Sequence, residues 1–236
     1  MTSPEPKTHS EGVYASLRAE LLGGAFLPGS KLRLAGLGTR YGVSLSVVRE
    51  AMTRLAGEGL VRALPQRGFC VTPLSVDDLL DLTRARVLIE TAVLRESIGQ
   101  GGLEWESAVI AAHHTLQGTP YTTREGHLGG AWSEAHHAFH RALLTGAKSP
   151  RLESIATELR DCSLLYQHWS IDIAKDLDRD VAAEHRNIAE LAVARNADGA
   201  VQALTEHIER TTAALLAYAE SSKSNSDTGR GIGISA

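Results

Sequence analysis

Residues 43–71 read VSLSVVREAMTRLAGEGLVRALPQRGFCV, and two structural patterns follow each other there without a gap. Val48, Ala51, Met52 and Leu55 fall at i, i+3, i+4 and i+7, one apolar stripe at helical period. Ser44 or Ser46 supplies a small polar residue that opens such a helix by accepting a backbone N–H. Gly59 supplies the left-handed residue that closes it. A short hairpin comes next: Leu60 to Leu64, a turn through Pro65, Gln66, Arg67 and Gly68, then Phe69 to Val71. A helix running directly into a small hairpin with Arg67 and Gly68 at its tip has the build of a winged helix-turn-helix, an element that reads duplex DNA.

The residues before this stretch complete the unit. Val13, Leu17 and Leu21 are four apart, which gives a helix over about 10–23 a buried seam. Gly23-Gly24 stops it, and Pro28-Gly29 is a turn dipeptide. Leu34, Leu37 and Tyr41 then form a short second helix, and Gly42 permits the tight turn into Val43-Ser44. In such a motif the second helix braces the backbone of the duplex, while the N-terminal residues of the third reach base edges in the major groove. That end carries Ser44, Ser46 and Arg49. Arg33, Arg40, Arg49 and Arg67 are the candidate phosphate or base contacts, with Gln66 and Gly68 at the wing tip. Arg54 and Arg62 read better as solvated surface residues.

Three segments carry a family resemblance: LPGSKL before the second helix, YGVSLSVVREAMTRLAGEGLV through the third, and QRGFCV in the wing. Together, over about residues 11–73, they resemble the DNA-binding domain of GntR-type transcriptional regulators. The pattern is broken in two places. Charged residues usually stand near the start of the second helix, where this chain has Ala35 and Gly36. The residue after Ser44 is usually Arg, and here it is Leu45. Both are commonly DNA-contacting positions, so the resemblance implies an atypical operator or one read with fewer charge contacts.

Charge is partitioned between the two parts of the chain. Residues 1–74 hold nine Lys/Arg and five Asp/Glu, net +4, and residues 75–236 hold fifteen against twenty-three, net −8. A mildly basic head on an acidic body suits phosphate contact at one end only. Length and patterning give a winged domain over 8–74, a helical domain over 75–220, which the resemblance makes the effector-binding and dimerisation domain, and a disordered tail over 221–236, which lacks aliphatic density. No apolar run approaches a membrane span, and no secretory signal pattern opens the chain. Two cysteines, Cys70 and Cys162, give neither a disulfide framework nor metal spacing. The expected location is the cytoplasm, with no membrane partner.

From residue 75 to 220 the pattern is helical throughout, with helices expected over about 77–98, 105–116, 131–145, 151–170, 178–195 and 197–219. A loop rich in Gly and Thr occupies 118–130. The architecture expected is mainly α: an N-terminal winged helix-turn-helix followed by an all-helical bundle.

The bundle contains a second chemical signal. His136 and His140 are four apart and project from one helix face. His185 and His207 lie on two later helices, so three helices can each send imidazole to a common point. Imidazole suits Zn, Ni or Cu better than Mg or Ca. A lone helical histidine is more often a surface or capping residue, and His113, His114, His127, His137 and His168 are read that way.

WSEAHHAFHRALLTGAKSPRL, followed by AAEHRNIAELAVARNADGAVQALTEHIERT, resembles the FadR-like C-terminal ligand-binding domain of one branch of these regulators. Many members hold a divalent metal with an Asp-x3-His pair on one helix and single histidines on two later ones. Those positions correspond to His136, His140, His185 and His207, with His136 replacing the Asp. The resemblance implies a divalent ion, zinc first and nickel second, and a small carboxylate effector beside it. Arg86, which begins an R-x3-E pattern, is the candidate anion partner. Its plain alternative is a helical salt bridge with Glu90, weak at a surface. Trp132 and Tyr166 are candidates to wall the same pocket.

Two functions compete on these residues. One is a ligand-responsive transcriptional regulator, a repressor in the first reading, bound as a homodimer to a near-palindromic operator. The other is a metal-dependent enzyme using the histidine cluster, which needs an open coordination position and a carboxylate base. Glu134, Glu184 and Glu206 are the acids nearest in sequence to the histidines. Glu184 and Glu206 immediately precede His185 and His207, about 100° away around the helix, and are expected to point elsewhere. The enzyme reading also leaves the winged unit without a purpose.

Overall fold

The computed structural model describes residues 9–122, 129–170 and 179–226. The chain divides into two compact units that meet in sequence at Ser75 and Val76.

The first unit holds α1 (His9–Leu22), β1 (Lys31–Leu32), α2 (Leu34–Tyr41), α3 (Leu45–Gly57), β2 (Val61–Leu64) and β3 (Gly68–Val71). The stripes read from the sequence are its core: Val13, Leu17 and Leu21 from α1 and Val48, Ala51, Met52 and Leu55 from α3 are all buried. Gly42 follows α2 with φ 65°, the left-handed turn that leads into α3. The hairpin pairs Val61 with Val71 and Leu64 with Gly68. One strand was not foreseen. β1 adds antiparallel to β3, pairing Leu32 with Phe69, to give the sheet order β1-β3-β2. Two residues are too short to show alternation, and tertiary hydrogen bonding alone makes this segment a strand.

Ser44 stands at the backbone position that precedes α3, but its hydroxyl makes no cap bond to the helix. Ser44 Oγ instead lies 2.8 Å from Ser46 Oγ. Each serine satisfies the other, which leaves the first N–H groups of α3 free of side-chain acceptors.

The second unit is a helical bundle of α4 (Val76–Gln100), α5 (Leu103–Gly118), α6 (Gly130–Leu144), a 3₁₀ turn (Thr145–Ala147), α7 (Pro150–Ser170), α8 (Val181–Val193) and α9 (Ala197–Ser226). Val93, Leu94, Ile98, Val109, Phe139, Leu143, Ile188, Leu204 and Ile208 meet in its core. A Cβ on Gly146 would stand 2.7 Å from the Ser97 carbonyl oxygen, so only glycine lets the 3₁₀ turn pass α4 at this separation. The Ser97 hydroxyl donates to the Leu144 carbonyl at 2.7 Å in the same place.

Of the boundaries that differ from expectation, two have a structural reason. α8 ends at Val193, and Arg195 takes a left-handed conformation with φ 60°. From there its guanidinium donates to the carbonyls of Ile98 and of Gly101, the latter at 2.7 Å, and so serves the open C-terminal end of α4. α9 continues to Ser226, six residues into the stretch assigned to a tail; Ser and Lys cost only a few tenths of a kcal/mol each when a formed helix is extended. Residues 227–236 lie outside the described residues. Among the described residues, no helix is long and apolar enough to cross a membrane.

Candidate functional site

In the first unit, the start of α3 exposes Ser44, Leu45, Ser46 and Arg49, and the hairpin tip exposes Gln66 and Arg67. Gly68 has φ 92° and Gln66 has φ 59°, so the wing turn uses two left-handed residues. Among the described residues, Arg33, Arg49 and Arg67 have exposed side chains with no ion-pair partner. Arg40 differs. Its Nη2 lies 2.7 Å from Glu20 Oε1, and the Tyr41 hydroxyl donates to the same oxygen at 2.8 Å. This guanidinium ties α2 to α1, which sets it apart from the other three candidate arginines. Arg54 lies over the Tyr14 ring, 3.9 Å from its centre, in keeping with a surface packing role.

In the second unit each helix of interest has an apolar stripe interrupted by histidine. On α6 the buried face runs Trp132, Ala135, His136, Phe139, His140, Leu143. On α8 it runs His185, Ile188, Ala189, Ala192, and on α9 His207 stands between Leu204 and Ile208. Packing these stripes together brings the four imidazoles to one point. Each offers a ring nitrogen, and these nitrogens all lie within 4.8 Å of one another. All four side chains are buried.

Burial is the first reason the four rings stay neutral. It drives His136 and His140 well below the ordinary value, with the charges of neighbouring histidines and of Arg160 acting the same way. His185 is pushed down to about 2, and His207 is lowered in spite of a carboxylate partner. Neutral imidazole is the form that coordinates metal.

The donor set fits a transition-metal ion on three observations. His136 Nδ1 is buried with no hydrogen-bond partner. His140 Nε2 and His185 Nε2 stand 3.3 Å apart. A tetrahedral ion with ~2.0–2.1 Å bonds to nitrogen spaces its ligands roughly 3.3–3.4 Å apart. Finally, His207 Nδ1 lies 2.8 Å from Glu184 Oε2, an acceptor only, which fixes the proton on Nδ1 and leaves the Nε2 lone pair for an ion.

Glu184 overturns the expectation that it points elsewhere. The 100° offset from His185 is real, but it aims Glu184 across to α9, where His207 sits. Arg179 holds it there with bonds of 2.9 and 2.7 Å. Burial pushes the Glu184 carboxyl up, yet His207 and Arg179 outweigh it and keep the group well below the usual carboxylate range. A carboxylate one residue before a candidate ligand histidine was the available signal, and the pairing across helices was not visible in one dimension. Glu206 is exposed, as its offset from His207 leads one to expect, and Glu134 is exposed as well.

Arg86 is not half of a surface pair. Its Nε donates to Glu90 Oε1 at 2.6 Å with both side chains buried, and Arg160 Nη1 donates to Glu90 Oε2 at 3.1 Å. Burial raises the Glu90 carboxyl, but the two guanidiniums together hold it below its ordinary value. Arg160, which the sequence reading passed over, keeps a buried Nε without a partner. Trp132 stacks on His136 with ring centres 4.6 Å apart and does wall the cluster. Tyr166 is buried, and its hydroxyl donates to Asp78. Of the histidines read as ordinary, His113 packs against Phe139 and His137 Nδ1 lies 3.6 Å from Asp161; His127 and the side chain of His168 lie outside the described residues.

Comparison with known proteins matches both units. Residues 9–71 match the bacterial regulatory proteins of the gntR family, and residues 81–210 match the FCD domain. The HTH-type transcriptional regulator BphR of Paraburkholderia xenovorans is 34% identical over 206 residues, covering 84% of this chain and 82% of the relative. The chain belongs to the GntR family. A second relative, the HTH-type transcriptional repressor GlaR of Escherichia coli, is 29% identical over 83% of this chain and 90% of its own. Among solved structures, E. coli McbR/YncC superposes with a TM-score of 0.75 at 20% identity, covering 92% of this chain and 99% of that one. A GntR-type regulator from Rhodococcus sp. RHA1 gives 0.72 at 23% identity, covering 88% and 97%, and at these identities both show the fold alone. This GntR protein is therefore a DNA-binding transcriptional regulator with a C-terminal effector-binding domain of a kind that binds metal ions, and not an enzyme.

Proposed function

We propose that this GntR protein is a metal-containing, ligand-responsive repressor that binds a near-palindromic operator as a homodimer. The observation that carries the proposal is the convergence of His136, His140, His185 and His207 into one buried group with an orphaned nitrogen. These four residues would hold a divalent ion, zinc first and nickel second on ligand softness. When bound, the ion supplies a fixed positive charge in the interior. Four imidazoles are neutral ligands and compensate none of that charge. A buried dication with neutral ligands favours a nearby anion, which supports a small carboxylate as effector. Arg86 and Arg160, whose charges both act on His136, would orient it.

For DNA contact we assign Arg33, Ser44, Ser46 and Arg49 with the wing residues Gln66, Arg67 and Gly68, while Arg40 braces α1. The dimer reading is supported by Leu80 and Leu88, two large apolar side chains of α4 that are 48% and 62% exposed. The repressor reading follows the likeness to GlaR, a transcriptional repressor. As a reader of duplex DNA in a bacterial family, the protein works in the cytoplasm.

The test is mobility-shift titration of the metal-loaded protein on duplex selected from a random pool, followed by challenge with small carboxylates. Two protomers per selected duplex and release by a carboxylate are expected. A single protomer per duplex, or DNA affinity indifferent to metal and to every carboxylate tried, would overturn the corresponding part.

A further inference from the structure

Leu45 is the first residue of α3 and is 54% exposed. It sits at the end of the helix that enters the major groove if α3 is the recognition helix, and the inference rests on that reading. One side of the residue is accounted for: a Cβ on Gly38 would be 3.9 Å from Leu45 Cδ2, so one methyl leans on the bare backbone of α2. The rest of the side chain faces outward. Ser44 and Ser46 flank it, and their hydroxyls are occupied with each other at 2.8 Å. The tip of the helix is thus a small apolar knob between two hydroxyls already bonded to one another. The next cation along, Arg49, stands one turn further into the helix.

We propose that Leu45 is a specificity-determining residue that reads thymine through its C5-methyl group. Base edges in the major groove offer hydrogen-bond donors and acceptors at every pair, and the thymine methyl is the apolar group among them. A leucine at this place can satisfy none of the polar groups, and it desolvates a guanine or adenine edge without return. Against a thymine methyl the same side chain removes apolar surface from water on both partners. Leucine contact then selects thymine at the position facing the helix tip, where a guanidinium would select guanine.

The experiment starts from a duplex selected from a random pool by the wild-type protein. Each thymine of one half-site is replaced in turn by deoxyuridine, which removes the methyl and leaves the hydrogen-bonding edge unchanged. One position is expected to weaken wild-type binding about fourfold, the worth of one methyl-sized group. At that position Leu45→Ala is expected to bind the two duplexes equally, and Leu45→Arg, put through its own selection, to replace the thymine with guanine. Melting temperatures of both variants should stay near wild type, since the site is exposed, and the deoxyuridine scan of the wild type stands whether or not they do. A wild-type protein that retards the selected duplex but ignores deoxyuridine at every position overturns the role of Leu45 and leaves DNA reading intact. Leu45→Ala that keeps the discrimination assigns the methyl to another residue and also overturns it. A wild type for which no duplex can be selected overturns both.

Discussion

Glu184 Oε2 on α8 lies 2.8 Å from His207 Nδ1 on α9, and Arg179 holds the same carboxylate oxygen at 2.7 Å. The carboxylate orients a ring in the histidine cluster without belonging to the cluster. Glu184→Gln keeps the shape and removes the charge, so zinc affinity is expected to fall about 10–100-fold. Competition titration against a chromophoric chelator measures this directly, and equal affinity in the two proteins would remove Glu184 from the site.

Loss of a ligand should be more severe. His140→Ala and His185→Ala are expected to purify without stoichiometric metal. In the wild type, added zinc should raise the melting temperature with a stabilisation that grows as RT ln(1 + [metal]/Kd). In both variants that dependence should flatten. If wild type and variants melt alike at every zinc concentration, the four histidines are structural only.

For metal-free protein the pH dependence has a definite sign. The four histidines are held neutral in the fold, with His185 down to about 2, while unfolded chains protonate theirs near 6.5. Below roughly 6.5 the unfolded state therefore binds more protons, and stability falls as pH drops, by up to about 1.4 kcal/mol per pH unit for each histidine. Above that value these groups contribute no slope. His140→Gln should lose about a quarter of the slope that the cluster provides, read as urea midpoints between pH 7 and pH 5. A slope equal to that of the wild type would mean His140 is protonated in the fold.

Glu90 accepts from both Arg86 and Arg160 in a buried setting. Glu90→Gln leaves two buried guanidiniums without a counter-charge, and breaking a buried ion pair from one side costs about 3–5 kcal/mol. Urea denaturation should show a loss of that order. A loss under about 1 kcal/mol would mean that water or an anion already compensates the arginines.

On the DNA side, Arg49→Ala and Arg67→Ala should both weaken operator binding. A base contact would cost ~1–3 kcal/mol and relax specificity at one position, whereas a phosphate contact would lower affinity on all sequences and reduce the salt slope by about one. Arg40→Ala should act instead on stability, because its guanidinium is bonded to Glu20. Affinities of the three variants at several salt concentrations separate these outcomes, and an Arg40→Ala protein with the largest salt effect would reverse the assignment.

What the chain determines by itself is local and periodic. The stripe Val48, Ala51, Met52, Leu55, the glycines at 42 and 68 and the hairpin after Gly59 were legible because each depends on residues within a turn or two. Of the four histidines, His136 and His140 were legible from their spacing on one helix, and the set with His185 and His207 from the family resemblance; that each interrupts a buried apolar stripe is what the fold adds. Tertiary packing decided whatever depended on distant partners. A two-residue β1 exists only because β3 lies beside it. The Ser44 hydroxyl turned from the helix to Ser46, Arg40 was taken by Glu20, and Arg86 was buried with Glu90 by Arg160 from α7. Glu184 reached His207 across two helices. Side-chain hydrogen bonds and ion pairs are short-ranged and can be claimed by any group that packing brings near, so their partners are fixed by how helices pack against one another, which sequence spacing along one helix does not encode.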